Sequence, residues 1–304
     1  MSDHPSPSET IAGFVRLLSV RGEGDDRFVG GPQPGGVGRV FGGQVIAQAL
    51  QAAQATAPDG MAAHSLHAYF LRGGEEGLDT GYEVARDLDG RSFANRRVAA
   101  RQGGAPILTL TASFQREEDG LEHQEAAMPD VPPPDDLKPD FEHRRDVIEK
   151  IGDRMTEAQR ALFLRPRPIE MRSVGTLHWM NREPSAPQAQ SWFRACAPLP
   201  DDPALHRAVI AYASDYTLLG TAALPHGLSW FRGELTGASL DHAIWYHRPD
   251  ARADEWLLYA TESPWSARGR GYNRGMIFDR EGRLVASVAQ EGMMRKRAQR
   301  PRED

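Results

Sequence analysis

The sequence predicts an α+β protein built from two tandem helix-plus-antiparallel-sheet units, and three observations carry that prediction. The chain repeats itself faintly but in order. A β-rich run at 91–102, a Gly103-Gly104 turn and an apolar run at 107–114 are matched by 271–278, a turn at Asp279-Arg280-Glu281-Gly282 and a run at 284–290. Each of these hairpins is preceded by one helix candidate. Between the halves, residues 117–168 are rich in charge and hold Pro129, Pro132, Pro133, Pro134 and Pro139, the composition of a connection.

In chain order, residues 1–9 have neither a basic start nor an apolar core, which argues against a signal peptide and leads us to expect a disordered arm. The first unit is expected over 10–117. Gly42-Gly43-Gln44 opens its helix, which runs through Ala53 with Val45, Ala49, Ala52 and Ala53 at helical spacing. The connection, 118–165, should carry one short helix at 140–151. The second unit, 166–297, is expected to open its helix at Ser214-Asp215 and carry it through Leu224, and 298–304 is a tail. Aligning Asn95-Arg96 with Asn273-Arg274 also lays Gly104 on Gly282, Ile107 on Val285, Thr109 on Ser287 and Ala112 on Gln290. Upstream, Ser65-Leu66-His67-Ala68-Tyr69 falls beside Ser239-Leu240-Asp241-His242-Ala243.

Composition narrows the function. A chain of 304 residues supports about two domains without needing disulfides or a structural metal. Its net charge of -6 gives no general attraction for nucleic acid or anionic lipid, so an anionic ligand must be caught locally. Cys196, the only cysteine, excludes intramolecular disulfides and Cys-based zinc sites; it reads as a buried strand thiol in a reducing, cytoplasmic setting. Lys138, Lys150 and Lys296 are the only lysines, which argues against Schiff-base chemistry. The longest nearly apolar run, 208–224, carries Asp215 at its centre, so a membrane span is not expected.

That aspartate is the leading functional candidate, because an unpaired carboxylate in an apolar setting is costly. It reads equally as a helix N-cap, and an ionised N-cap at a pocket edge is also a usable general base. Gln290 puts an amide on a strand among Val285, Ser287 and Ala289, where its repeat partner is Ala112; the plain alternative is a solvent-facing glutamine. Ser239 is a hydrogen-bonding candidate rather than a nucleophile. No G-x-S-x-G elbow occurs, and along a regular strand His242 points away from it. His64 with His67, and His242 with His247, have odd spacings that make no ready chelate, so no metal is expected. There is no Walker A loop, and Phe41 stands where Gly36-Val37-Gly38 needs a third glycine for dinucleotide binding. Arg91, Arg96, Arg97 and Arg101, with Arg268, Arg270 and Arg274 in the second copy, read as a solvated face or as a phosphate-binding edge.

The motifs together resemble a known family. Val40-Phe41-Gly42-Gly43-Gln44, His64-Ser65-Leu66-His67-Ala68-Tyr69-Phe70-Leu71-Arg72 and Ser92-Phe93-Ala94-Asn95-Arg96-Arg97 are similar to the type II acyl-CoA thioesterases of the TesB family. Tyr212-Ala213-Ser214-Asp215, Ser239-Leu240-Asp241-His242, Trp245-Tyr246-His247-Arg248-Pro249 and Gln290-Glu291-Gly292-Met293-Met294-Arg295 continue the resemblance over about residues 10–297. It implies a double hot-dog fold, hydrolysis of fatty acyl-CoA to free acid and CoA, and no cofactor. The family's catalytic aspartate, hydroxyl residue and glutamine fall on Asp215, Ser239 and Gln290, which would orient and deprotonate a water. Arg96, Arg97, Arg268 and Arg274 are the expected contacts for CoA phosphates. In the first copy, Gly43 would stand near the place of Asp215 and Ala112 opposite Gln290, so one site per chain is expected. A homodimer or homotetramer is implied. The competing readings are an enoyl-CoA hydratase with an Asp/His pair, told apart by hydration of crotonyl-CoA, and a non-catalytic acyl-CoA-binding module.

Overall fold

In the computed structural model, which describes residues 5–297 except 35, 37, 176, 178–182 and 231, helix begins almost at once. Helix α1 (Pro7–Leu18) is nucleated by a capping box: Ser6 Oγ accepts from the Glu9 N–H at 3.3 Å and Glu9 Oε2 accepts from the Ser6 N–H at 2.8 Å. It is anchored by buried Ile11, Phe14, Leu17 and Leu18. This corrects the expected disordered arm, whose Ser6-x-x-Glu9 signature was present in the sequence; residues 1–4 and the tail 298–304 lie outside the described residues.

Two halves follow with the same element order. The first is β1 (Val20–Gly24), β2 (Arg27–Gly30), α2 (Gly42–Gln54), β3 (Met61–Phe70), β4 (Thr80–Asp89), β5 (Phe93–Gln102) and β6 (Ala105–Arg116). After α3 (Asp140–Ile151) and α4 (Glu157–Leu164) come β7 (Ile169–Ser173), β8 (Gln188–Ala195), α5 (Pro203–Ser214), the single turn α6 (Leu218–Thr221), β9 (Leu235–Ser239), β10 (Asp241–Tyr246), β11 (Leu257–Ala267), β12 (Arg270–Phe278) and β13 (Leu284–Lys296). Among the described residues no helix is long and apolar enough to cross a membrane.

All the strands form one sheet, ordered β1-β2-β4-β5-β6-β3-β10-β13-β12-β11-β8-β7, with β9 also on β13. The two halves mirror each other about the antiparallel β3–β10 pair, in which His67 faces Ala243. The sheet curls around α2 and α5. Its inner face buries Leu66, Val98, Leu108 and Leu110 in one half and Ile244, Ile277 and Val288 in the other, against Ile46, Leu50, Val209 and Ile210 of the helices. Each such side chain contributes about 1.5–3 kcal/mol by leaving water. The small residues of α2 let the helices meet closely: a Cβ on Gly43 would lie 2.5 Å from the Tyr212 carbonyl oxygen.

Four expectations change here. The second helix ends where it was expected to begin, because Asp202 accepts from the Ala204 N–H and Pro203 takes the first helical position, so α5 starts there. The repeat alignment slips by one residue on β5 and β12. Arg96 lies across from Ala112 and Asn273 from Gln290, so Asn273 is the counterpart of Arg96, and both are fully buried. A one-residue slip swaps the faces of a strand, which leaves Arg274 outside. The connection is also more than a tether. It carries α4 besides the expected helix, and it covers the Trp192, Trp256, Leu258 and Phe278 cluster with Ala126, Met128, Val131 and Leu137, while Trp192 Nε1 donates to the Pro132 carbonyl at 2.9 Å. Cys196 lies just past β8, half-buried rather than within a strand.

Candidate active site

The break between β9 and β10 builds the site. The chain runs along β13 through Ser239, bends at Leu240, whose N–H donates to the Glu291 carbonyl, and resumes at Asp241. The bend removes the strict alternation of a continuous strand, so Ser239 and His242 both reach the helix side of the sheet. The expectation that they point apart is corrected.

Asp215, Ser239 and Gln290 come together from three elements. Gln290 Nε2 lies 2.6 Å from Asp215 Oδ1 and 3.0 Å from Ser239 Oγ, and Ser239 Oγ donates to Asp215 Oδ1 at 3.4 Å. The Asp215 side chain is only 6% exposed. It occupies the C-cap of α5 and not an N-cap, yet a helix N-terminus does serve it: the Gly43 N–H in the first turn of α2 donates to its carboxylate. Gly42 leaves room for this approach, since a Cβ there would sit 2.6 Å from Asp215 Oδ2. Burial pushes the carboxyl up to about 6, against the opposing pull of Gln290, Gly43 and Ser239. An acid so placed titrates near neutrality, as a general base requires.

Gly43 is therefore a donor to Asp215 rather than its repeat counterpart. That counterpart is Ala55, the C-cap of α2, while Ala112 on β6 stands where Gln290 stands on β13. Among the described residues the full set occurs in the second half alone.

Asp215 and Ser239 open onto a cavity of about 660 Å³ between the halves. Phe41, Val45, Phe70, Leu219, Trp230 and Met293 supply its apolar wall, and Gly42 brings the start of α2 to it. None of the four expected arginines lines it. Arg96 is wholly buried and bound to Thr56, the Leu88 and Asn95 carbonyls and, at 2.5 Å, Asp89, so it is not available to a phosphate. Arg97 pairs with Asp87 and Arg274 with Glu262, both on the surface, and Arg268 sits in the β11–β12 turn. Among the described residues, the arginines that do line the cavity are Arg39 and Arg72. Both are exposed; Arg72 donates to the Pro106 carbonyl, and neither has an ion pair among the described residues. Arg39 stands alone in a loop, and Arg72 was read only as part of a motif, so no clustering signal marked them. His242 was also missed; its ring is fully buried behind Gln290, with Nδ1 3.1 Å from Gln290 Nε2.

Comparison with known proteins is consistent over nearly the whole chain. Two family models match, an acyl-CoA thioesterase N-terminal domain over residues 31–115 and an acyl-CoA thioesterase C-terminal domain over 129–294. The chain is 35% identical over 288 residues to acyl-CoA thioesterase 2 of Haemophilus influenzae, covering 95% of this chain and 99% of that one. It is 38% identical to human acyl-coenzyme A thioesterase 8, covering 86% and 82% respectively. The crystal structure of an acyl-CoA thioesterase II, TesB2, from Mycobacterium marinum superposes with a TM-score of 0.74 at 38% identity, over 93% of this chain and 98% of that one. A hot-dog-fold protein from Alicyclobacillus acidocaldarius, 19% identical, gives 0.74 as well, over 94% of this chain and 98% of that one, and supports the fold.

Proposed function

The chain belongs to the acyl-CoA thioesterase family, and from that premise we propose that it hydrolyses fatty acyl-CoA to free acid and CoA with a water activated by Asp215, Ser239 and Gln290. The observation that carries this reading is the meeting of all three side chains, two of which, Asp215 and Ser239, open onto one largely apolar cavity, with Asp215 raised toward neutrality by burial. Ionised Asp215 takes the proton of the water as it attacks the thioester carbonyl. Ser239 holds that water in line, and Gln290 holds the Asp215 carboxylate that receives its proton. The Gly42 N–H, at the positive end of α2, is the donor we assign to the developing oxyanion. Thiolate leaves, CoA is released, and no covalent acyl-enzyme is needed. Thiol release across a panel of acyl-CoAs tests the reading; no release from any of them would overturn it. The hydratase alternative needs a histidine at the substrate, whereas His242 is enclosed and bonds to Gln290, which stands between it and Asp215.

The anionic end of CoA is assigned to Arg39 and Arg72. Exposed ion contacts contribute about 0.2–1 kcal/mol each, so Arg39→Gln or Arg72→Gln should raise KM roughly 1.4- to fivefold at low salt with kcat unchanged. The rise should fade as salt screens the pair. A KM change that persists at high salt would point to a different cause.

We further assign the chain to a homodimer or homotetramer working in a reducing, cytoplasmic setting. Support for assembly lies on the outer face where the halves join: Tyr69 is 60% exposed and Trp245 37%, with the His67 ring edge-on to Trp245 at 5.0 Å. Light scattering at micromolar concentration should give twice or four times 33.6 kDa; a monomer mass would refute this.

A further inference from the structure

Gln290 Nε2 has more neighbours than protons. It carries two hydrogens yet lies within reach of Asp215 Oδ1, Ser239 Oγ and His242 Nδ1. Its own oxygen, Oε1, is buried and has no protein partner among the described residues, so the contacts that set the direction of the amide are those of the nitrogen. The direction must come from the nitrogen side.

A chain of hydrogen bonds behind the site supplies it. Ser214 Oγ lies 2.9 Å from the Ala211 carbonyl oxygen and 2.8 Å from His242 Nε2. A carbonyl only accepts, so the single Ser214 proton points to Ala211, and Ser214 Oγ must then accept from His242. That fixes the proton of the imidazole on Nε2 and leaves Nδ1 a bare acceptor. Nδ1 takes one Gln290 N–H at 3.1 Å, the other goes to Asp215 Oδ1, and a flipped amide would set its carbonyl oxygen against both acceptors. Ser239 receives no amide proton in this arrangement, which leaves its Oγ free to accept from a water.

We propose that His242, held as the Nε2–H tautomer by Ser214, is a positioning residue that keeps the amide N–H edge of Gln290 turned to Asp215. The enclosed ring stays neutral, since burial pushes its pKa down to about 3. The role rests on the proposed hydrolysis for its consequence, but not for its geometry: the relay runs from the Ala211 carbonyl to the Asp215 carboxylate through groups that never touch substrate.

Two measurements test it. In the wild-type protein, nitrogen-15 NMR of labelled histidine, with the His242 signals assigned by their loss in His242→Phe, should show the Nε2–H tautomer at neutral pH; the Nδ1–H tautomer would overturn the proposal whether or not the chain proves a thioesterase. In thiol-release assays, His242→Phe keeps a ring but removes the acceptor. It should lower kcat roughly 10- to 100-fold with KM within about twofold. Ser214→Ala frees the tautomer and should lower kcat less, and adding it to His242→Phe should cost nothing more, because both act through one relay. Full kcat in a folded His242→Phe, or additive losses in the double variant, would contradict the assignment.

Discussion

Asp215→Asn is expected to remove most turnover and, at neutral pH, to make the protein more stable. Loss of the general base should lower kcat roughly 100- to 10,000-fold while acyl-CoA still binds. The stability gain follows from burial. The carboxyl rises from 3.8 to about 6 on folding, so between those values the folded chain holds a proton that the unfolded chain releases. Stability from this group is therefore full below pH about 4 and is lost as pH rises through about 6. By pH 7 the buried charge costs about 3 kcal/mol. Asparagine carries no charge and forfeits about 1 kcal/mol at the Gly43 N–H, which leaves a net gain of about 1–2 kcal/mol, a few degrees in Tm. The gain should vanish near pH 4. A purely structural aspartate predicts the reverse pairing, near-normal kcat with a lowered Tm.

Gln290→Ala is the second large effect. Removing the amide withdraws the donor nearest Asp215 and with it the hold on the carboxylate that receives the water's proton, and kcat should fall roughly 10- to 1000-fold, at about 1.4 kcal/mol per decade. The chain should still fold, at a cost of about 1–3 kcal/mol for leaving His242 Nδ1 without its donor in a buried place. Because the Gln290 bond lowers the Asp215 pKa, its loss should also move the acid limb of activity to higher pH. Unchanged kcat in thiol-release assays would return Gln290 to a bystander role.

Much of this was legible before the fold was known, and the parts that were not share a cause. The repeat, the two helices and the polar connection could be read from periodicity and composition, which are local. Asp215 and Gln290 stood out because each is a polar group where its surroundings call for an apolar one. The end of α5 on which Asp215 sits was misread, since the apolar run through Leu224 outweighed the Asp202-Pro203 start signal that fixes the helix. Which arginines are free is a matter of pairing across the chain: Arg96 meets Thr56 of the turn after α2, and no spacing rule reveals it. His242 was set aside by the alternation of a regular strand, a rule that the bend at Leu240 suspends. The single-residue slip between Arg96 and Asn273 has the same origin, because register is set by ladder pairing and not by resemblance of side chains.

The central claim is that ionised Asp215, raised by burial, activates the attacking water. Its most direct test is kcat for thiol release against pH at saturating acyl-CoA, where the ionisation of the substrate's own phosphate in binding drops out. The account predicts a plateau above neutrality and, below a pKa of about 6, a tenfold fall per pH unit while the protein remains folded by circular dichroism. A kcat that stays flat down to pH 4.5 in a folded protein would contradict it.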